Sequence, residues 1–416
     1  MQVVSGRVFY RGRLEPLSIG IEGGTIVAIK KVLEGREVED HGSALVLPGC
    51  VDMHVHLRDP GLREKEDFPH GTASAAVGGV TTIVDMPNTK PPVTTRAALE
   101  EKAAVLKHRA AVDYGLYAAP RSAGAVDSLR SALAFKVYMA ESTGGLQIEG
   151  EGLSEIVKAA GDAGRLLVAH AEDGQLFRKN PATTLQEHAF ARPKEAEVSA
   201  IRTLARFRTA QPVHVAHVTC VEALDAVPPG ITTEVTPHHL LLDYARPLKA
   251  FGKVNPPLRS REDREALWDA FAGGRIDVVA SDHAPHTKEE KEEKFEEAPS
   301  GLPGVATSFP LLLRLAKAEK TTLERIVEAT AVRPAQILGI DKGMIEVGRD
   351  ADLIVVDPRE IAKVTAERVR YKCGWTPFEG MEACFPRVVY LRGEKIIEGG
   401  EPVAEGLGRH ISPKDD

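Results

Sequence analysis

The sequence is poor in the residues that mark secreted or membrane proteins. Its 416 residues include only four cysteines, Cys50, Cys220, Cys373 and Cys384, none in CxxC spacing. That excludes a disulfide framework and a thiolate zinc site. No stretch of ~18 apolar residues occurs, so a membrane-spanning helix is not expected. The start, MQVVSGRVFYRGRLEP, carries charges where a signal peptide needs an apolar run. Basic residues are not in excess either: Lys+Arg is 53 against 60 Asp+Glu, a net charge of −7. A general nucleic-acid partner, which needs a basic face, is therefore not expected. No repeat of 20–50 residues is evident. What remains is ordinary for a globular protein, 43% hydrophobic and 27% charged. The expectation is a reduced, cytoplasmic protein of enzyme size acting on a small-molecule substrate.

Both ends of the chain are β-rich. VVSGRVFY, PLSIGIEG and TIVAIKKV near the start resemble ADLIVVD, RVVYLRG and EKIIEGG near the end. Neither piece is long enough for a good core alone, so residues 1–48 and 340–416 are expected to pair into one small β-sandwich domain. Between them, over residues 49–339, apolar runs alternate with helical patterns. The runs are Cys50–Leu57, Val80–Asp85, Val112–Ala119, Ala134–Met139, Arg165–His170, Pro212–His217, Ile231–Val235 and Ile276–Ser281. This alternation predicts an α/β protein with a (β/α)8 TIM-like barrel; a doubly wound open sheet is the other arrangement it allows. The charge run TKEEKEEKFEEA (Thr287–Ala298) reads as a solvated loop or helix.

His54 and His56, in VDMHVHLRDPG, stand two apart on the first strand, a spacing that turns both imidazoles to one side. Lys136 sits among apolar residues in strand four (AFKVYM). His170 ends strand five (LLVAHAED), His217 ends strand six (VHVAHVT) and Asp282 follows strand eight (VVASDHAPH). Singly, each has an ordinary reading: a snorkelling lysine, core histidines, a helix cap. Together they gather at the C-terminal ends of barrel strands, where active sites collect. Four imidazoles and a carboxylate suit two zinc ions, but two-metal sites ~3.5–4 Å across need a bridge, and an ammonium cannot ligate a cation.

DMHVHLRDP (Asp52–Pro60), ASDHAPHTKEEK (Ala280–Lys291), CGWTPFEG (Cys373–Gly380) and GMIEVGRDADLIVVD resemble the amidohydrolase superfamily, and within it the dihydroorotases of the long, animal- and archaeal-like type. The resemblance implies a zinc-dependent cyclic amide hydrolase of pyrimidine biosynthesis that interconverts N-carbamoyl-L-aspartate and L-dihydroorotate. It implies two Zn2+ ions, one held by His54, His56 and Asp282 and one by His170 and His217. N6-carboxylysine at Lys136 and a hydroxide would bridge them. Asp282 would carry the catalytic proton. Arg58 would meet the substrate carboxylate, with Asn88, Asn255, His286 and the main chain near Gly301 also binding substrate. Arginine offers a planar fork for a carboxylate, and asparagine both a donor and an acceptor for an imide edge. The Thr-Phe pair that animal members carry after the lysine is replaced here by Ser142 and Thr143. The alternatives are another cyclic amidase (allantoinase, hydantoinase or dihydropyrimidinase) or a catalytically silent barrel that scaffolds a transcarbamoylase. A homo-oligomer and a complex with aspartate transcarbamoylase are both compatible with the resemblance.

Among the other histidines, His41, His108, His188 and His410 are expected away from the site, and His70 at a helix start. His214 is expected on the strand face opposite His217, and His283 to point away from its neighbour Asp282. Glu234, inward on strand seven, is expected to orient a metal ligand. His238 and His239 (TPHHL) follow strand seven and are expected to support the ligands rather than bind metal.

Overall fold

A computed structural model describes residues 1–141, 145–207 and 212–413. Ser142 and Thr143 lie outside the described residues. The chain opens with β1 (Gln2–Tyr10), β2 (Arg13–Glu22), β3 (Thr25–Lys30) and β4 (Glu37–Pro48). It then enters the barrel through β5 (Cys50–Val55), β6 (Val80–Asp85), β7 (Asp113–Ala118) and β8 (Ala134–Tyr138). β9 (Leu167–His170), β10 (Val213–Val215), β11 (Ile231–Val235) and β12 (Val278–Val279) complete it. All eight apolar runs become strands of one parallel sheet in sequential order, with helices between most of them. Parallel strands covered on both faces are near-continuous apolar runs, which is why the sequence displays them so plainly.

The sheet closes on itself at the ends that carry the candidate ligands. The amide of Ser281, just past β12, donates to Asp52 Oδ1 on β5 at 3.1 Å. His56 N donates to the His283 carbonyl at 2.7 Å. Inside, Val51, Met53, Val84, Tyr117, Ala134, Val168 and Val278 fill the barrel as one apolar cluster. A larger cluster lies between the strands and the surrounding helices.

After the barrel come β13 (Leu353–Val356), a short β14 (Ala362–Lys363) paired with β15 (Glu382–Ala383), β16 (Val388–Leu391), β17 (Glu394–Glu398) and β18 (Glu401–Pro402). The chain termini meet as expected, in one mixed eight-stranded sheet ordered β18-β17-β16-β13-β4-β1-β2-β3. β4 is its hinge: it runs parallel to β1 and antiparallel to β13. Only Gly49 separates β4 from β5, and a Cβ there would stand 2.1 Å from Thr81 Oγ1, so glycine is required by close approach.

The sheet and the barrel share a buried ionic seam. Lys342 Nζ donates to Asp113 at the start of β7 (2.6 Å), to Asp350 (2.6 Å) and to Asp352 (2.8 Å). Arg392 binds Asp113 from the other side. Burial works against the Lys342 charge, but Asp352 and Asp113 hold its pKa above the usual lysine range.

Candidate active site

Backbone irregularities aim the candidate ligands. The pairing of β5 with β6 slips between Asp52 and Val55, a bulge of the kind that re-aims side chains near active sites. Past this slip, His54 and His56 face the barrel interior while Val55 and Leu57 join the outer core. Arg58, His217 and Asp282 all have left-handed φ angles, 61°, 37° and 44°. Such angles cost free energy for side chains with a Cβ and cluster at functional sites.

These turns bring the donors together. Asp282 Oδ1 lies 3.3 Å from His54 Nε2 and 3.1 Å from His56 Nε2. His170 Nδ1 lies 3.1 Å from His217 Nε2. Two ligands of one tetrahedral zinc at ~2.0–2.1 Å are about 3.3 Å apart, so both groups have the spacing of ligand pairs. One donor atom each from His54, His217 and Asp282 falls within 4.8 Å of the others, joining the two groups. Lys136 Nζ, from β8, is buried on the same cavity and has no hydrogen-bond partner among the described residues.

Outer contacts fix which nitrogen faces inward. His54 Nδ1 contacts Glu234, so its Nε2 lone pair turns to the cavity. His56 Nδ1 donates to Asn88 Oδ1 at 2.6 Å. His170 Nε2 donates to Glu172 at 2.7 Å, and Arg192 grips Glu172 with Nε and Nη2. Burial would raise Glu172, but Arg192 and His170 bring it well below the usual carboxylate range. Such carboxylate–histidine pairs set tautomer and orientation in metal sites. Burial pushes His56 down to about 4 and lowers His170 and His217 as well, leaving the neutral rings that bind metals. Burial opposes the charge on Asp282, yet His54, His56 and His217 hold its carboxyl well below the usual range.

The cavity is lined by ten of the eleven expected residues: His54, His56, Arg58, Asn88, Lys136, His170, His217, Asn255, Asp282 and Gly301. The eleventh, His286, stands behind Arg58, its Nε2 3.2 Å from Arg58 Nη2. Arg58 Nε donates to the Pro285 carbonyl at 3.1 Å, so the DHAPH loop seats the guanidinium. Gly301 has φ +146° and space for no Cβ, which would lie 2.4 Å from the Ala284 carbonyl oxygen. Asn88 lines the cavity with its carbonyl oxygen engaged by His56.

Several supporting residues escaped the sequence reading. His188, expected away from the site, has Nε2 2.9 Å from Asn255 Oδ1. His214 and His217 both reach Glu234, one through its ring and one through its amide. Strand parity fails there because β10 ends at Val215 and His217 is left-handed. Glu234 does orient His54, as its inward position suggested. His283 turns away from the cavity, its Nδ1 accepting from Gly304 N at 3.1 Å. The acidic run is not wholly solvated: Lys291 is buried, donating to the carbonyls of Lys253 (3.2 Å), Pro299 (2.8 Å) and Gly301 (3.2 Å). Trp375 Nε1 donates to the His286 carbonyl at 2.8 Å. Glu172, two residues beyond His170, was the one such partner that the sequence displayed locally.

No helix among the described residues is long and apolar enough to cross a membrane. The pattern of the amidohydrolase family matches residues 45–394. A dihydroorotase of Halobacterium salinarum is 39% identical, covering 99% of this chain and 100% of that one. One of Methanosarcina acetivorans is 38% identical over 95% of this chain and 91% of its own. Among solved structures, the L-hydantoinase (dihydropyrimidinase) of Arthrobacter aurescens superimposes with TM-score 0.93 at 29% identity, covering 99% of both chains. The dihydropyrimidinase of Brevibacillus agri gives 0.91 at 28%, covering 99% of this chain and 98% of its own. With the (β/α)8 barrel, the converging donors and these likenesses in hand, the chain belongs to the amidohydrolase family and, within it, to the dihydroorotases.

Proposed function

We propose that the chain is a metal-dependent dihydroorotase, interconverting N-carbamoyl-L-aspartate and L-dihydroorotate plus water in pyrimidine biosynthesis. The observation that carries this reading is Arg58, a guanidinium only 3% exposed that lines the same cavity as the donor set. A buried cation at that position suits a substrate with a free carboxylate beside its cyclic amide.

The residues fit a metal pair. The ligand-like spacings support it, and so does Lys136 Nζ, which has no hydrogen-bond partner among the described residues and is buried where a charged ammonium is costly. Burial pushes that amine down to about 8, toward the neutral form that takes up CO2. His54, His56 and Asp282 would hold one Zn2+ and His170 and His217 the other, with carboxylated Lys136 and a hydroxide between them. When bound, such a pair supplies Lewis acidity and a hydroxide at neutral pH. The chain's own residues do the rest. Arg58, backed by His286, holds the carboxylate, while Asn255 and the Gly301 main chain border the ring. In hydrolysis Asp282 takes up a proton and delivers it to the departing amide nitrogen. In cyclisation it removes the proton of the carbamoyl nitrogen.

A second reading, a hydantoinase or dihydropyrimidinase, is favoured by the structural neighbours. Arg58 weighs against it, since dihydrouracil has no carboxylate to clamp. The complete donor set weighs against a silent scaffold. The test is zinc per chain and turnover of dihydroorotate, dihydrouracil and allantoin by the parent and by Arg58→Met. The variant should keep its metal and lose ~10²–10⁴-fold in kcat/KM on dihydroorotate, at about tenfold per 1.4 kcal/mol. Its weak turnover of dihydrouracil should not fall. Normal turnover of dihydroorotate by Arg58→Met would refute the clamp.

The reading extends to a cytoplasmic location, and to two domains, residues 1–48 with 340–416 and residues 49–339. It also admits a homo-oligomer or a complex with aspartate transcarbamoylase, which the mass in solution with and without that enzyme decides.

A further inference from the structure

Tyr138 ends β8, two residues after Lys136 and therefore on the same side of the strand. Its ring packs with Ala119 and Leu146. The ring centroid lies 6.2 Å from that of His170 and 5.5 Å from Lys136 Nζ. The side chain lines the cavity, and the residue is 2% exposed. Among the described residues its hydroxyl has no hydrogen-bond partner. Buried tyrosine hydroxyls nearly always have one, and phenylalanine would give the same apolar packing without the penalty of an unpaired donor. A phenol is a hydrogen-bond donor. Tyr138 lines the same cavity as Arg58.

We propose that Tyr138 is a further substrate-binding residue, whose hydroxyl donates a hydrogen bond to the substrate's free carboxylate alongside Arg58. The inference rests on the dihydroorotase reading. It gives the orphan donor its partner only when substrate arrives, so the desolvation penalty is relieved selectively in the complex. It also divides the carboxylate between a charged fork and a neutral donor, a stricter geometric demand than either alone.

The experiment is Tyr138→Phe, measured for zinc per chain, melting temperature without substrate, and steady-state kinetics on L-dihydroorotate and dihydrouracil beside the parent protein. The expected result is unchanged zinc and an equal or higher melting temperature, since an unsatisfied hydroxyl has been removed. KM for dihydroorotate should rise about ten- to hundred-fold, the worth of one hydrogen bond to a charged group, with a clearly smaller effect on dihydrouracil. Unchanged KM on dihydroorotate overturns the inference while leaving the dihydroorotase reading intact. Loss of zinc overturns it by assigning the hydroxyl to the Lys136 bridge. Equal losses on both substrates overturn it by assigning the hydroxyl to the amide ring. A parent protein with bound zinc that does not turn over dihydroorotate overturns both readings.

Discussion

Lys136 stands in surroundings at odds with the ordinary chemistry of an ammonium. It is 1% exposed, has no hydrogen-bond partner among the described residues and faces a cavity ringed by imidazoles. Lys136→Ala should lose metal and activity together, and short carboxylates added with zinc should restore part of the turnover. Metal analysis beside the rescue assay checks this; full zinc occupancy in the alanine variant would exclude a bridging role. Asp282 is the lone carboxylate of the proposed ligand set. Asp282→Asn should retain the fold and much of the metal while losing ~10²–10⁴-fold in rate, the usual worth of a general acid–base group. Near-normal turnover would assign the proton to another group. The proposed ligands could be picked out from the sequence because titratable residues are conspicuous inside apolar runs. Their partners could not. Arg192 approaches Glu172 from just past the end of a helix at Leu185–Ala191, and nothing in the local sequence announces such a contact.

At the scale of elements, the barrel strands were readable because burial on both faces leaves apolar runs bounded by turns. The loops were not, because their side chains answer to neighbours distant in sequence. The run Thr287–Ala298 shows the difference. Its glutamates suggested solvent, and Glu289 and Glu292 do belong to a short capped helix. Lys291, in that same helix, turns inward and ties three carbonyls of the loops carrying Asn255 and Gly301. Lys291→Met would leave the Pro299 and Gly301 carbonyls without this donor, at about 1–3 kcal/mol for each group left unpaired, while the Lys253 carbonyl still accepts from Gly301 N. The expected outcome is a lower melting temperature and a KM on dihydroorotate raised about tenfold, with zinc content unchanged. A KM equal to the parent's would show that the loops hold their shape without this tie. The parity argument at His214 failed for a related reason: periodicity describes a strand only as far as the strand continues, and β10 stops two residues short of His217.

At the scale of the molecule, the barrel and the mixed sheet are joined at Lys342, which meets carboxylates from both. Lys342→Met would leave the buried Asp352 without its cation, while Asp113 keeps Arg392, and breaking a buried pair costs about 3–5 kcal/mol. A folded-state pKa above the unfolded lysine value of ~10.4 means that this stabilisation is complete below that pH. It is lost only as pH climbs through the higher folded value. The variant should therefore unfold at lower denaturant across the whole neutral range, and an unchanged midpoint would show the seam to be dispensable. The closure of the barrel has a consequence for how the chain comes into being. Asp52 and Ser281 are 229 residues apart in sequence, yet their contact draws the edge bearing His54 and His56 up to Asp282. During synthesis, a nascent chain that ends before the eighth strand holds only part of the proposed ligand set, on a sheet that is still open. That seam joins residues far apart in sequence, at a cost in loop-closure entropy, and it brings the donors together. A metal pair held by the full set would therefore lend its binding free energy only to the closed barrel, because a chain without the eighth strand lacks Asp282.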